Sequence, residues 1–212
     1  MQQGEQVTVK GVLKDSGVAV RTIMKDGCLR LFVPFALLLN LLSGGATSLA
    51  LPFCMEKGFT VEMYGYLMSA YTVAYLVCTL LLGAVKFKPK TRFMIMAVGF
   101  SLSEVFLCIG YLVNDYLLLC VMICLGAFMN CAGNTIFNAS LMLALPEENR
   151  GAILGFIQSA STGGMALSAV LYGMLGEVMP LYLAFAAGSV ISLAPMVYLC
   201  FHPRTKSFVL EN

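Results

Sequence analysis

Charge is scarce in this chain. Asp, Glu, Lys and Arg make up 11% of its 212 residues, against about 25% in an ordinary soluble domain. With 59% apolar residues, it could not cover a folded surface with polar groups, so the expected solvent is a bilayer. Histidine is scarcer still: His202 stands alone near the C-terminus. Metal ligands must converge, and an intramembrane hydrolase needs a base beside its nucleophile, so neither a metal, a cofactor nor enzymatic activity is expected. No Gly-x-Ser-x-Gly, His-Glu-x-x-His or Gly-x-x-x-x-Gly-Lys-Ser/Thr occurs, which removes three common catalytic and phosphate-binding signatures. A net charge of +2 is too small to suggest nucleic acid. No Cys-x-x-Cys pair is present. Cys54, Cys78, Cys108, Cys120, Cys124 and Cys131 lie in or beside apolar runs, with Cys28 and Cys200 near the ends. Free cysteine behaves as a small hydrophobe, so these read as helix filler. The first thirty residues lack the apolar core of a signal peptide.

What the chain does have is six apolar runs: 31–55, 61–85, 92–113, 116–145, 152–178 and 180–201. Each reaches the roughly 20 residues needed to cross a bilayer core. The expected fold class is an all-α membrane protein with six transmembrane helices over 31–201, flanked by a linker or interfacial segment over 1–30 and a tail over 202–212. The breaks between runs are short, and short loops force neighbouring helices to be antiparallel. Pro146, Pro180 and Pro203 mark helix ends. Pro34 is expected in the first turn of its helix, where a missing N–H costs little. Pro52 and Pro195 could kink theirs. Within 1–30, Val9, Val12, Leu13, Val20, Ile23 and Met24 recur at loosely helical spacing, with Lys10, Lys14, Arg21 and Lys25 between them. That pattern suits a short helix on the membrane surface, although Gly11 and Gly17 leave a plain linker equally open.

Lysine and arginine orient the chain. With a cytoplasmic N-terminus, that side holds Lys10, Lys14, Arg21, Lys25, Arg30, Lys86, Lys88, Lys90, Arg92, Arg150, Arg204 and Lys206, and the outer side holds only Lys57. Both termini are therefore expected in the cytoplasm.

A few polar residues interrupt the runs. Glu104 is the carboxylate deep inside a span, near the bilayer centre. A charge there costs several kcal/mol, so the group is expected to be neutral or paired. It reads either as a proton-coupling or substrate-contact residue, or as a neutral acid bonded to the next helix. Asn130, Asn134 and Asn138 repeat every four residues on the fourth run, and Gly126 extends their stripe. That spacing puts them on one slowly turning face. Amides facing lipid would go unpaired, so the face meets protein or water, as the lining of an aqueous cavity or as interhelical glue. Asn40 and Gln158 could join the same interior. Ala160, Gly164, Ser168 and Gly176, with Gly151 and Gly155, form small-residue faces that let helices approach closely. Gly44 and Gly45 interrupt the first helix, either exposing backbone to a ligand or thinning the helix for packing.

The stretch from Leu145 through Pro146, Glu147, Glu148, Asn149 and Arg150 to Gly151, followed by a small-residue helix ending at Gly176 and Glu177, resembles the link between helices ten and eleven of major facilitator superfamily transporters. It looks most like their drug-efflux and siderophore-export branch. Met24 to Phe32 resembles the loop feeding helix seven, and Glu56 to Gly65 the outer loop before helix eight. The loop after helix eight departs from the family pattern. Gly83 and the basic character survive there, but Phe87 and Lys90 replace the acid and the second glycine.

The resemblance covers the C-terminal half of such a transporter, helices seven to twelve. It implies a bundle of two inverted three-helix repeats, with the substrate site between two halves. It also implies that helices seven, eight, ten and eleven face the cavity while helix nine, which carries Glu104, is peripheral. That geometry favours Asn130, Asn134 and Asn138 as cavity candidates, beside Asn40 and Gln158, and counts against Glu104, which remains the proton-coupling candidate on its depth in the span. Gly83, Arg92, Arg150 and Gly151 are cytoplasmic gating candidates. The implied activity is proton-coupled export of a small, fairly apolar molecule across the plasma (inner) membrane by alternating access. It would need an N-terminal six-helix half or a homodimer partner. The alternative is a non-transporting truncated membrane protein or an accessory subunit.

Overall fold

The computed structural model describes residues 9–206 except 26, 28, 146, 148, 149 and 204. Side-chain surroundings are described from Ser16 onward, apart from those positions and 31, 32, 144 and 199. Cys28, Pro146, Glu148, Asn149 and Arg204, and the side chains of Val9, Lys10, Val12, Leu13 and Lys14, lie outside the described residues.

Among the described residues eight helices follow one another: α1 (Val9–Lys25), α2 (Leu29–Ser48), α3 (Ala50–Glu56), α4 (Val61–Ala84), α5 (Pro89–Leu112), α6 (Tyr116–Ala144), α7 (Arg150–Gly176) and α8 (Leu181–Phe201). Helices α4 to α8 are each long and apolar enough to cross a membrane. Taken as one span bent by 57°, α2 and α3 bring the number to six. The bend lies at Leu49 rather than at Gly44 and Gly45. Pro52 explains it: the ring lacks the N–H that would bond Ser48 O, and it crowds that carbonyl. Pro195 lies inside α8 without dividing it. Pro34 departs from expectation, because α2 begins at Leu29 and the proline falls in its second turn.

The helix ends are built from local chemistry. Gly58, with φ +80, ends α3 in a left-handed turn: Gly58 N–H donates to Met55 O and Phe59 N–H to Cys54 O, each at 2.9 Å. This paired bonding satisfies carbonyls the helix end leaves open. The Thr60 hydroxyl accepts from Met63 N–H at the start of α4, and the Asp115 carboxylate accepts from Leu118 N–H at the start of α6. Pro89 opens α5 at a position where no N–H is needed.

One end of the bundle is clasped by bonds between the breaks. Lys57 Nζ donates to Val113 O at 2.7 Å and to Asn114 Oδ1 at 3.1 Å. It also stands over the rings of Phe53 and Tyr182. Burial pulls the Lys57 ammonium below the usual lysine range, and neighbouring Glu56 offsets part of that. Glu56 Oε2 accepts from Leu181 N–H at 2.8 Å, placing a carboxylate at the positive end of α8. The opposite end carries Arg92 and Arg150. There Ala19 and Ile23 of α1 join a buried cluster with Val33, Ile136 and Ile153.

In the bundle α5 packs on α6 and α8, α2 on α7 and α8, and α4 on α6. A Cβ on Gly99 would stand 2.8 Å from Met129 O, so α5 and α6 approach backbone to backbone. Polarity runs from inside to outside. Ser103, Glu104, Ser140, Ser168 and Ser192 are buried, while Leu80, Leu117, Leu167 and Val190 on the outer faces are more than half exposed. A soluble monomer rarely exposes contiguous apolar surface on this scale. In a bilayer those faces meet acyl chains.

Candidate functional site

A cavity of about 320 Å³ opens between α2 and α6, with α5 and α8 as its floor. Its wall is mainly apolar and aromatic. Phe53, Tyr71, Phe100, Tyr111, Phe137, Tyr172 and Phe185 supply rings, several packed edge to face or tilted on one another, as in Tyr111 on Phe185 and Phe53 on Tyr111. A mostly apolar pocket with a few placed polar groups is the usual form of a small-molecule site.

The polar groups come from four helices. Asn40 on α2 donates from Nδ2 to Ala36 O at 2.8 Å and reaches Ser161 Oγ of α7 at 3.5 Å. On α6, Asn134 Nδ2 donates to Asn130 Oδ1 at 2.7 Å and to Asn130 O at 3.0 Å. The four-residue spacing thus lets one amide hold the next, both on the cavity wall. On α5, Glu104 is 4% exposed, and its Oε2 accepts from Ser192 Oγ of α8 at 2.8 Å. The same serine hydroxyl also lies 3.0 Å from Ser189 O. Having one proton, it can donate to only one of them at a time.

The structure brings Asn40, Asn130, Asn134 and Glu104 to one cavity. Asn138 and Gln158 are exposed and outside its lining. The reason for Asn138 is geometric. A four-residue repeat advances about 40° per step around a helix of 3.6 residues per turn, so two steps carry the stripe off the face that Asn130 begins. Gly126 packs toward Leu107 of α5 instead. The small face of α7 is a packing surface: Gly45 N–H donates to Ser168 Oγ at 2.7 Å. A Cβ on Gly44 or Gly45 would strike Met165 or Tyr172 respectively. Gly151 and Gly155 face open space.

The helix expected to be peripheral is not. α5 places Phe100, Glu104, Leu107 and Tyr111 on the cavity, because its close seat on α6 and α8 puts its inner edge between them. The gating candidates lie elsewhere. Gly83 and Gly151 are exposed, Arg92 Nη2 donates to Ser140 Oγ at 3.3 Å, and Arg150 Nη2 donates to Leu145 O at 3.1 Å.

Three groups escaped the sequence reading. Ser189 and Ser192 form the α8 side of the Glu104 contact, and the Tyr172 hydroxyl donates to Leu42 O across the α2–α7 seam. The serines had a signal, two hydroxyls three residues apart in an otherwise apolar run. Tyr172 had none, since aromatic residues are common in spans.

The family model described as Major Facilitator Superfamily matches residues 34–209. No curated protein and no solved structure matches the chain.

Proposed function

Because the chain belongs to the Major Facilitator Superfamily of membrane transporters, we propose that it forms one wall of a secondary exporter for a small, largely apolar molecule, driven by protons. The observation that carries this reading is the cavity, which gathers Asn40, Asn130, Asn134 and Glu104 among aromatic side chains inside the family-matched region. Aromatic faces suit an apolar solute, and three amides suit its orientation without fixing one charge. Glu104 is the proposed proton site: a buried carboxylate within a span is expensive when charged, and such groups commonly serve transport.

The packing supports two inverted three-helix repeats. Exchanging α2 with α6, α4 with α7 and α5 with α8 turns the main packed pairs into one another: α5–α6 into α8–α2, α2–α7 into α6–α4, and α5–α8 into itself. Three spans per repeat give the second an inverted direction. The exposed amides of Asn138 and Gln158 support a second six-helix unit, because an amide facing lipid finds no partner. That unit would be another chain, a second copy or a further stretch of the same polypeptide. The end bearing Arg92 and Arg150 is the proposed cytoplasmic end, from its excess of basic residues.

The test is uptake of fluorescent apolar drugs into inverted vesicles under an imposed pH gradient. The expected result is gradient-driven uptake, reduced at least about tenfold in Glu104→Gln, as fits removal of the ionisable group. The variant keeps an acceptor for Ser192 and is expected to fold normally. Uptake with full gradient dependence in Glu104→Gln sinks the coupling role. No uptake of any drug, even with every candidate second half co-expressed, sinks the transport reading.

A further inference from the structure

We propose that α1 is a binding site for the headgroups of anionic phospholipids, held at the bilayer surface against the bundle; this goes beyond the transport reading and does not depend on it. Helix α1 is not one of the candidate spans among the described residues. It ends at Lys25, and α2 begins at Leu29. A link this short keeps α1 at the level where the first span leaves the bilayer.

Three edges succeed one another around the helix. Ala19 and Ile23 form the first and are buried against Val33, Ile136 and Ile153. At about 100° per residue, Val20 and Met24 come next, 43% and 59% exposed. Arg21 and Lys25 follow one turn apart, both exposed. With Gly17, Val18 and Thr22 they line a shallow hollow. The Thr22 hydroxyl already donates to Val18 O at 3.0 Å, so the hollow's donors are cationic. Residues 16–25 contain no acid, Asp15 and Asp26 being the flanking ones.

That order decides the occupant. The buried edge fixes the helix, the exposed apolar edge suits the acyl boundary, and the basic edge beside it lies at phosphate level. An acidic protein segment would satisfy the cations but would leave Val20 and Met24 in water. A lipid surface satisfies both. Basic residues beside a span draw anionic lipid by charge, and salt weakens the attraction.

The test uses the full chain in nanodiscs of phosphatidylcholine mixed with phosphatidylglycerol, with retained lipids counted by class in a native mass spectrometer. Phosphatidylglycerol is expected to be retained preferentially. Arg21→Gln with Lys25→Gln is expected to weaken that preference about thirtyfold, while Arg21→Lys keeps it. Should the double variant not fold, each single Gln variant carries the same test, with about a fivefold loss expected. Equal retention of both lipids by the native chain, or an unchanged preference in the Gln variants, overturns the proposal. Displacement of the lipid by soluble glycerophosphate at matched phosphate concentration also overturns it, in favour of a free-phosphate site.

Discussion

The polar residues of this protein divide by what each can bond. The amide of Asn134 is spent on Asn130, through both Oδ1 and O. Replacing Asn134 by leucine therefore leaves Asn130 Oδ1 without its donor on the cavity wall. A lost partner of this kind is worth about 1–3 kcal/mol, so Asn134→Leu is expected to reduce drug uptake about tenfold. Asn138 belongs to the same sequence repeat but lies off the cavity. Asn138→Leu removes no cavity contact, so it is expected to weaken association with the second six-helix unit while uptake per assembled complex stays within about twofold of the parent. If the two variants behave alike, the cavity does not distinguish them and its role as the solute site fails. The four-residue spacing in the sequence could not separate these positions, since the turning of the helix face matters only once a neighbour defines where the cavity is.

Between elements, contact distance is set by what glycine leaves out. The α2–α7 seam closes because Gly44 and Gly45 offer no Cβ where Met165, Ser168 and Tyr172 come close. Glycine within a helix costs about 1 kcal/mol relative to alanine, so a pair of them is retained only where packing or function offsets it. Forcing a methyl group into a filled seam costs about 1–3 kcal/mol. Gly45→Ala is accordingly expected to lower the unfolding midpoint in detergent. Gly155→Ala, whose Cβ meets open space, is expected to leave it unchanged or raise it. An equal effect at both sites would mean that the seam is looser than the geometry gives. The sequence showed small residues on both helices, but it could not say which of them face each other. That depends on the rotation of α2 relative to α7.

Among the described residues the molecule has an apolar exterior, a few polar groups buried in an otherwise apolar interior, and two exposed amides within its long helices, Asn138 and Gln158, outside the cavity. Lipid can cover the apolar faces but has no partner for an amide. The mass of the complex in mild detergent, with bound detergent subtracted, decides what covers that face. The expected outcome is a mass containing a second six-helix unit, as a second copy or another polypeptide. A lone 212-residue chain would leave half a cavity open and would favour an accessory membrane protein.

Much of the architecture was legible without coordinates. Run length and the low charge follow from the cost of polar groups in hydrocarbon, a property of each residue and its near neighbours. The sequence also marked the amide stripe on α6 and the buried acid at Glu104. Helical spacing is local, and a lone carboxylate in an apolar run is conspicuous. Only the tertiary structure decided that Glu104 faces Ser192 of α8, that Asn40 shares a cavity with Asn130 and Asn134, and that α5 supplies the cavity floor. Those facts depend on which helices are neighbours and on how each is rotated. In a chain whose spans are nearly all apolar, little in the residue pattern of one helix specifies the face it turns to another.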